Sequence, residues 1–401
     1  MKKKILILFV LAFLLFGCTI KNTSDQTASK VAGVTDTEII LGSSSALSGH
    51  AGYLGTSYLH GAMARVNQIN EEGGVNGRKI KVISYDDQYD PSKCVVNTQK
   101  LINEDKVFSL FNYVGTPTAV EVIPIVEEAK IPLVGLFSGA NIFRQPVKKY
   151  IFNIRASYYK EAEAAVELFV DRLNLKRIAI FYQADSYGMD GLEGAKISLQ
   201  KRGLEPMAIG SYARGTLDVE DAAETILKAS PEAVIMVGTY SPSAKFVRLV
   251  KEKNPSILFH SVSFVGPEEF LRDLGNYSEN IIVTQVVPPP SETELLYGPE
   301  LYRKGLEKYY PGEEPSFGGL EGFSNARVII EGLRRAGKDL TRQKFVESLE
   351  SLRDYSIGIG APVAFSEDDH EGLDKIYITR ISNGAFVLHN RKDDAVLLKK
   401  K

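Results

Sequence analysis

The sequence predicts an α/β protein made of two three-layer lobes, each a mostly parallel sheet covered by helices. Short apolar runs rich in Val, Ile, Leu and Phe recur between helical segments and are bounded by Gly and Ser, as buried parallel strands usually are. This alternation runs from residue 38 to 155 and is repeated from 156 to 285. A stiff Pro-rich linker at 286–290 follows, and 401 residues leave room for two domains.

The chain opens with a targeting segment, which is set aside from the fold. Lys2–Lys4 give a positive start, and the apolar run Ile5–Phe16 is too short to predict a membrane span. It ends in Leu15-Phe16-Gly17-Cys18, which resembles the lipobox of bacterial lipoproteins. That resemblance implies removal of the signal peptide 1–17 and lipidation of Cys18; an ordinary signal peptide ending near a cysteine is the alternative. Residues 18–35 form a polar tether, so we expect an exported, lipid-anchored protein facing the periplasm or cell exterior.

The composition argues against several function classes. The net charge is −2 and no Lys/Arg-rich segment with interleaved aromatics occurs, which argues against nucleic acid as a partner. The two cysteines, Cys18 and Cys94, provide no disulfide framework. No G-x-S-x-G motif, phosphate-binding loop or metal-spaced His/Cys set is present. We therefore expect a protein that is not an enzyme and that needs no metal, nucleotide or redox cofactor.

The first half carries the usual signals at its helix ends. Its first helix has apolar residues at helical spacing and stops before Gly73-Gly74, and Asp90-Pro91 supplies an acidic N-cap followed by proline. The predicted elements are a strand at 39–44, a small-residue loop at 45–55, a helix to about 71, a strand at 79–85 and a helix from 91 to about 103.

Three aspartates, Asp86, Asp87 and Asp90, cluster after the second strand. They could hold a metal or act in acid–base chemistry, or they could cap a helix and form a solvated turn. The sequence favours the cap and turn, because no histidine or further carboxylate stands near enough to complete a coordination set.

The segment from 107 to 141 predicts one β–α–β unit. Its helix is expected to start with Thr116 as N-cap and Pro117 in the first turn. Because consecutive strands of such a unit end at one sheet edge, the two following loops should lie side by side. Their N–H groups and hydroxyls suit a carboxylate, although each loop alone could be just a tight turn. We call these predicted ligand contacts the cradle: Gly115, Thr116, Ser138, Gly139 and Ala140.

The second half repeats the alternation of strands and helices and ends in a different pattern, a run of helices followed by a hairpin. Predicted strands lie at 177–182, 205–212, 233–237, 257–261 and 280–285, and predicted helices at 158–173, 191–202, 219–229 and up to 251. Beyond the linker, helices are expected at 294–309, 319–336 and 342–352. Residues 375–388 predict a β-hairpin, in which Asn383-Gly384 supplies the positive φ angles of the turn.

The order of elements and the loop residues resemble the type 1 periplasmic binding proteins, in the group that contains the Leu/Ile/Val (branched-chain amino-acid) binding proteins of ABC importers. The resemblance covers residues 38 to 389 and rests on several short motifs in the right order. These are SALSG at 45–49, GGVNGRKI at 73–80, YDDQYDP at 85–91, IPLVGLFSGA at 131–140 and AIFYQADSYG at 179–188.

This resemblance implies two Rossmann-like lobes that are joined by three chain crossings and close on a ligand like a Venus flytrap. The first lobe would hold 36–155 and 291–357, and the second would hold 156–285 and 363–401. Hinge crossings would lie near Arg155-Ala156 and at 286–290 and 357–362. The ligand would sit between the lobes, at the carboxyl ends of both sheets.

The resemblance also implies which loops hold the ligand. In the amino-acid binders, the cradle loops hold the α-carboxylate, and loops at the positions of Tyr187, Tyr240 and Ser263 form the opposite wall. An acidic residue near the position of Ser263 commonly receives the ammonium group, and Asp185 or Glu268 could substitute here.

Two features of this chain bear on the ligand. Many members pair cysteines where this chain has Tyr89 and Tyr113, which leaves Cys94 as an expected buried helix residue. Aromatic side chains also gather in the presumed cleft loops, where they could contact a planar carboxylate or only pack in the core. These are Tyr53, Tyr113, Tyr187, Tyr240 and Phe264.

Together these features predict a lipid-anchored substrate-binding protein that delivers a small carboxylate-bearing solute to the permease subunits of an ABC importer. An amino acid or a related aromatic acid would be such a solute. The alternative is a ligand-sensing receptor module that acts with a separate membrane signalling partner.

Overall fold

The computed structural model describes residues 31–292 and 296–398, in which two main sheets are accompanied by helices. The strands are β1 (Glu38–Ser45), β2 (Lys79–Asp86), β3 (Ser109–Phe111), β4 (Leu133–Val134), β5 (Ile151–Phe152), β6 (Ile178–Gln183), β7 (Ile209–Tyr212), β8 (Ala233–Val237), β9 (Leu258–Ser261), β10 (Ile282–Gln285), β11 (Tyr355–Ser356), β12 (Pro362–Val363), β13 (Tyr377–Ser382) and β14 (Ala385–Leu388). The helices are α1 (Gly52–Glu71), α2 (Pro91–Asn103), α3 (Thr116–Val120), α4 (Ile123–Ala129), α5 (Tyr158–Val166), α6 (Ser186–Gln200), α7 (Glu220–Ala229), α8 (Tyr240–Lys253), α9 (Pro267–Leu274), α10 (Tyr297–Tyr309), α11 (Phe317–Ala336), α12 (Arg342–Glu350) and α13 (Asp394–Leu398).

The first sheet has the strand order β2-β1-β3-β4-β5 and is parallel throughout. β1 pairs with β2 along its whole length, from Glu38 opposite Lys79 to Ser45 opposite Asp86. A bridge between the segments that follow β3 and β4 continues their pairing into the two loops. The expected β–α–β unit is therefore present, and its loops lie side by side.

The second sheet has the order β14-β13-β10-β9-β8-β6-β7. β6 to β10 pair in parallel, whereas β13 is antiparallel to β10. β13 and β14 form the predicted hairpin, and Asn383 and Gly384 have φ angles of 52° and 72°, as its turn requires. Two largely parallel sheets with alternating helices confirm the predicted α/β class.

α1 and α11 pack closely against each other, although they come from distant parts of the chain. A Cβ atom at Gly61 would lie 1.8 Å from the carbonyl oxygen of Gly319, so no larger residue fits there without a shift of backbone. Apolar residues of both helices share one buried core with β1. The chain beyond the Pro-rich linker thus returns to the first sheet.

The chain passes between the two sheets three times. β5 leads through Arg155 to α5, and β10 leads through 286–290 to α10. After α12, the segment containing Val363, Phe365 and Leu373 still packs in the core of the first sheet. Only then does the chain join the second sheet through β13.

Several local features differ from the sequence predictions. The single helix expected between β3 and β4 is divided into α3 and α4, and α4 has Pro124 in its first turn. α3 begins at Thr116 itself, because Gly115, with a φ of 97°, occupies the N-cap position that Thr116 was expected to hold. α6 begins at Ser186, inside a predicted loop, because the Asp185 carboxylate caps the first turn. α5 continues into a π-helical turn, Glu167–Arg172, where ordinary helix was expected.

The aspartate cluster forms a cap and turns, as the sequence favoured. Asp90 accepts a hydrogen bond of 3.1 Å from the Lys93 N–H at the start of α2. Asp87 is buried and accepts one of 2.8 Å from the Ser44 hydroxyl, while burial raises its pKa to about 6. Asp86 accepts hydrogen bonds from backbone N–H groups of both neighbouring loops.

The targeting segment, Cys18 and the tether up to residue 30 lie outside the described residues, and what the sequence says of them stays a prediction. Cys94 is buried in α2, as expected. None of the helices in 31–292 and 296–398 combines the length and apolar character needed to cross a membrane.

Candidate functional site

The cradle residues meet at the edge of the first sheet. The hydroxyl oxygens of Thr116 and Ser138 are 2.7 Å apart, and both side chains are buried. Ser138 Oγ also accepts a hydrogen bond of 3.2 Å from the Ala140 N–H. Since only one proton can lie between two hydroxyl oxygens, the other hydroxyl proton can serve a third oxygen atom. The pair is therefore suited to donate a hydrogen bond to a carboxylate.

An aromatic cluster joins this edge to the second sheet. Tyr158 lies so close to Gly139 that a Cβ there would be 2.5 Å from its ring. The Tyr158 ring centroid is 5.2 Å from that of Tyr187, which in turn is 4.8 Å from Phe264. Phe137, which directly precedes Ser138 in the chain, has its ring centroid 5.2 Å from that of Phe264. All four rings are buried, so the contacting surfaces of the two sheets are in a closed arrangement.

Tyr89 occupies the space beside the other cradle loop. A Cβ atom at Gly115 would lie 2.1 Å from its ring, which shows why this position is glycine. The ring centroid is 6.1 Å from Phe264, and the Arg214 guanidinium lies 5.8 Å above the ring. The His50 ring is 5.6 Å away on the first-sheet side. Tyr89 thus lies between elements of both sheets.

A buried ion network, formed by Arg155, Glu161 and Glu321, stands at the first chain crossing. Arg155 donates through Nη2 to the Ser263 hydroxyl and, at 3.4 Å, to Glu161, while its Nε is 3.6 Å from Glu321. Glu161 also accepts hydrogen bonds from the Ser263 N–H and the Thr284 hydroxyl, each 2.7 Å long. Burial raises the pKa of Glu321 to about 7, although the charge of Arg155 opposes this.

Glu268 links the two sheets at another point. Its carboxylate accepts a hydrogen bond of 3.1 Å from the Tyr53 hydroxyl and one of 2.8 Å from the Phe317 N–H at the start of α11. The Tyr53 ring stands edge-on to Tyr240, with centroids 6.4 Å apart. Burial raises the pKa of Glu268.

The predicted site residues therefore fall into separate groups. The cradle residues and Tyr187 are joined through the aromatic cluster, whereas Tyr53 and Tyr240 form a pair beside Glu268. Asp185 is engaged as the cap of α6, and Ser263 is engaged by the ion network. Of the other aromatic candidates, Tyr113 lies 2.9 Å from the Thr98 hydroxyl instead of facing the second sheet. The role of these residues in ligand binding stays a prediction.

Several residues in this region were not singled out as ligand contacts. Tyr89, Phe137 and Tyr158 were missed because each acquires its neighbours only through contacts between distant segments. Arg155 could have been noticed in the sequence, since it is the one charged residue between 150 and 159. Only the fold reveals its partner, Glu321.

Comparisons with known proteins agree on the family. A model of the periplasmic binding protein family matches residues 38–385. A possible leucine/isoleucine/valine-binding protein from Rhodopirellula baltica is 32% identical, with a TM-score of 0.84 over 91% of this chain and 99% of that one. A fatty acid ABC transporter substrate-binding protein from Thermomonospora curvata shares the fold, at 22% identity and a TM-score of 0.81 over 90% and 93% of the two chains. A leucine-, isoleucine-, valine-, threonine- and alanine-binding protein of Pseudomonas aeruginosa is 22% identical over 73% of this chain and 76% of its own.

Proposed function

We propose a function on the premise that this chain belongs to the periplasmic binding protein family, as an exported substrate-binding protein of the Leu/Ile/Val-binding type. It captures a small carboxylate-bearing solute, such as an amino acid or a related aromatic acid, and delivers it to the permease subunits of an ABC importer. The observation that carries this proposal is the buried pair of hydroxyls of Thr116 and Ser138, 2.7 Å apart and beside an aromatic cluster drawn from both sheets.

The two lobes are proposed to follow the two sheets. The first lobe holds 36–155 and 291–373, and the second holds 156–285 and the C-terminal hairpin. The core contacts of Val363, Phe365 and Leu373 support a third crossing just after residue 373, rather than at 357–362. The hinge thus includes Arg155, the linker 286–290 and the segment before β13.

Within this frame, the cradle residues hold the carboxylate and Tyr187 closes over the body of the solute. Tyr53 and Tyr240 lie farther along the cleft, where they contact larger solutes. Asp185 and Ser263 shape the second-lobe wall, since their side chains are already engaged by α6 and by Arg155 and Glu161.

The protein is further proposed to be held at the membrane by lipid on Cys18. The charged start, apolar run and Leu15-Phe16-Gly17-Cys18 ending support this proposal. The anchor would keep the binding protein close to its permease on the outer face of the membrane.

A binding panel tests the proposed function. Leucine, valine, phenylalanine, isocaproate and phenylpropanoate are titrated by calorimetry, and each is tested for thermal stabilisation. A ligand at 100 times its dissociation constant stabilises the fold by about 2.7 kcal/mol, which for a cooperative unit of this size raises the melting temperature by roughly 3–5 °C. If none of the five carboxylates binds, the proposed function is wrong.

A further inference from the structure

We infer that Tyr89 is a further ligand-binding residue, and that its hydroxyl donates a hydrogen bond to the carboxylate of the bound solute. This inference rests on the proposed function and names a contact that the cradle loops do not supply. Four observations lead to it: the position of Tyr89, its unpartnered hydroxyl, its backbone conformation and its charge state.

The position of Tyr89 is that of a ligand contact. Its ring covers Gly115, in the first cradle loop, and lies 6.1 Å from Phe264 of the aromatic cluster. Arg214, from the loop after β7, places its guanidinium 5.8 Å above the same ring. Tyr89 is therefore in contact with the cradle and with the second lobe at once.

The hydroxyl of Tyr89 has no hydrogen-bond partner, although the residue is only 1% exposed. Two other buried tyrosines of this region are paired: the Tyr58 hydroxyl donates to the Gly135 carbonyl at 3.0 Å, and that of Tyr187 donates to the Gly238 carbonyl at 3.3 Å. Only the hydroxyl of Tyr158, which packs on the second cradle loop, shares the unpartnered state of Tyr89 among the tyrosines of the aromatic cluster. A buried hydroxyl that stays unpaired destabilises the fold, so such a group calls for an explanation. A ligand oxygen beside the cradle would give this hydroxyl its partner.

The backbone of Tyr89 is held in an unusual conformation. Its φ is 62°, in the left-handed region that bulky residues seldom adopt. The Asp87 carboxylate fixes this turn by accepting a hydrogen bond of 2.9 Å from the Tyr89 N–H. The strained turn places the Tyr89 ring against the first cradle loop, where Gly115 has no side chain that would clash with the ring. Strain of this kind is characteristic of functional sites.

The charge state of Tyr89 determines the chemistry of the contact. Burial raises its pKa well above the ordinary value, so the hydroxyl keeps its proton. The guanidinium of Arg214 lies over the ring, and its Nε is 3.9 Å from the Asp185 carboxylate, so the two charges offset each other. The protonated hydroxyl of Tyr89 is therefore the group that can donate to a carboxylate oxygen.

The test removes only the hydroxyl. Tyr89→Phe keeps the ring, and we expect the affinity for the tightest carboxylate of the panel to fall about ten-fold or more. The stability of the ligand-free protein should stay the same or rise, since a buried unpaired group is removed. Tyr113→Phe is the matched control: Tyr113 is equally buried, but its hydroxyl is paired with Thr98, so this variant should lose stability and keep its affinity.

The amide of the same compound distinguishes a carboxylate contact from a contact with the rest of the solute. Hydrogen bonds to charged acceptors are stronger, so Tyr89→Phe should reduce binding of the carboxylate more than binding of its primary amide. Undiminished affinity of Tyr89→Phe, or an equal loss for carboxylate and amide, would overturn the inference and leave the proposed function intact. Failure of every panel carboxylate to bind the wild type would overturn both.

Discussion

At the scale of single residues, the best-supported candidates for ligand contact are the hydroxyl groups of two small side chains. Neither Thr116 nor Ser138 is unusual in its own loop, and their significance comes from the 2.7 Å between their oxygens. Parallel pairing of the strands before them brings the loops together, so the contact is a consequence of sheet topology. We infer that Tyr89, in the turn after β2, supplies a third hydroxyl.

Removing either hydroxyl should weaken ligand binding. Thr116→Val and Ser138→Ala each delete a donor to a charged oxygen, so each should cost on the order of 1.5–3 kcal/mol of binding free energy, or about ten-fold or more in affinity. Calorimetric titration with the tightest carboxylate of the panel measures the loss. Thr379→Val, which deletes a buried hydroxyl bonded to the Val283 carbonyl in the second sheet, is the control and should affect stability only. Wild-type affinity in both cradle variants would place the site elsewhere.

Glu321 gives the fold a dependence on pH. Its pKa is raised from 4.5 to about 7 in the folded protein, so the folded state binds this proton more tightly than the unfolded state does. The contribution of Glu321 to the free energy of unfolding should therefore be fully present below pH 4.5, decrease as the pH rises to about 7, and be lost above it. Glu321→Gln should make this decrease smaller in urea titrations across the range, whereas Glu347→Gln on the exposed face of α12 should not. Identical profiles for the wild type and Glu321→Gln would refute this assignment.

At the scale of elements, the sequence predicted correctly those features that are determined by residues close together in the chain. The Asp90 cap, the Asn383-Gly384 turn and most strands were predicted, because caps, turns and apolar runs are local features. The N-cap of α3 was misplaced by one residue, since Gly115 takes a positive φ that Thr116 would adopt only with strain.

The candidate site was predictable only in part. The cradle followed from the rule that consecutive parallel strands end at one edge. The neighbours of Tyr89 and the pairing of Arg155 with Glu321 could not be predicted, because these contacts join segments far apart in the chain and depend on how the two sheets meet. Ser263 follows strand β9 of the second sheet, as expected, but its hydrogen bond to Glu161 of α5 had no local signal.

The contact between α1 and α11 should tolerate no added side chain. Gly61→Ala places a Cβ 1.8 Å from the Gly319 carbonyl oxygen, so we expect a loss of about 1–3 kcal/mol in the free energy of unfolding, measured by urea titration. Gly52→Ala, in the same helix, places its Cβ at an ordinary 3.5 Å from its nearest neighbour. That control should be neutral or slightly stabilising, because alanine favours helix. Equal stability of the two variants would show that the helices can separate freely.

At the scale of the whole molecule, the two sheets are connected by contacts that need no ligand. Glu268 accepts hydrogen bonds from Tyr53 and Phe317, and the Asn141 N–H donates to Asp190 at 2.8 Å. Such contacts are absent when the lobes separate, so they favour the closed form in the free protein. A ligand shifts the equilibrium further only through contacts that the open form lacks.

Loss of the Glu268 contact should open the free protein. Glu268→Ala removes the acceptor for Tyr53 and Phe317, so small-angle scattering of the ligand-free variant should give a larger radius of gyration than the wild type. Saturation with the tightest panel carboxylate should restore a compact form, at reduced affinity. Glu269→Ala is the control, because Glu269 pairs with Arg272 inside α9. An unchanged radius in Glu268→Ala would mean that this contact does not hold the lobes together.

The pairing of α1 with α11 also sets an order for folding. The two helices are separated in the chain by the entire second-sheet segment from β6 to β10, so their association closes a very long loop. Contacts of such high sequence separation form slowly. The strands β6 to β9 and their helices are contiguous in the chain and can assemble first. The core of the first sheet is complete only when α11 has packed against α1. For an exported protein, we expect the core shared by α1 and α11 to form only after residues 317–336 have crossed the membrane.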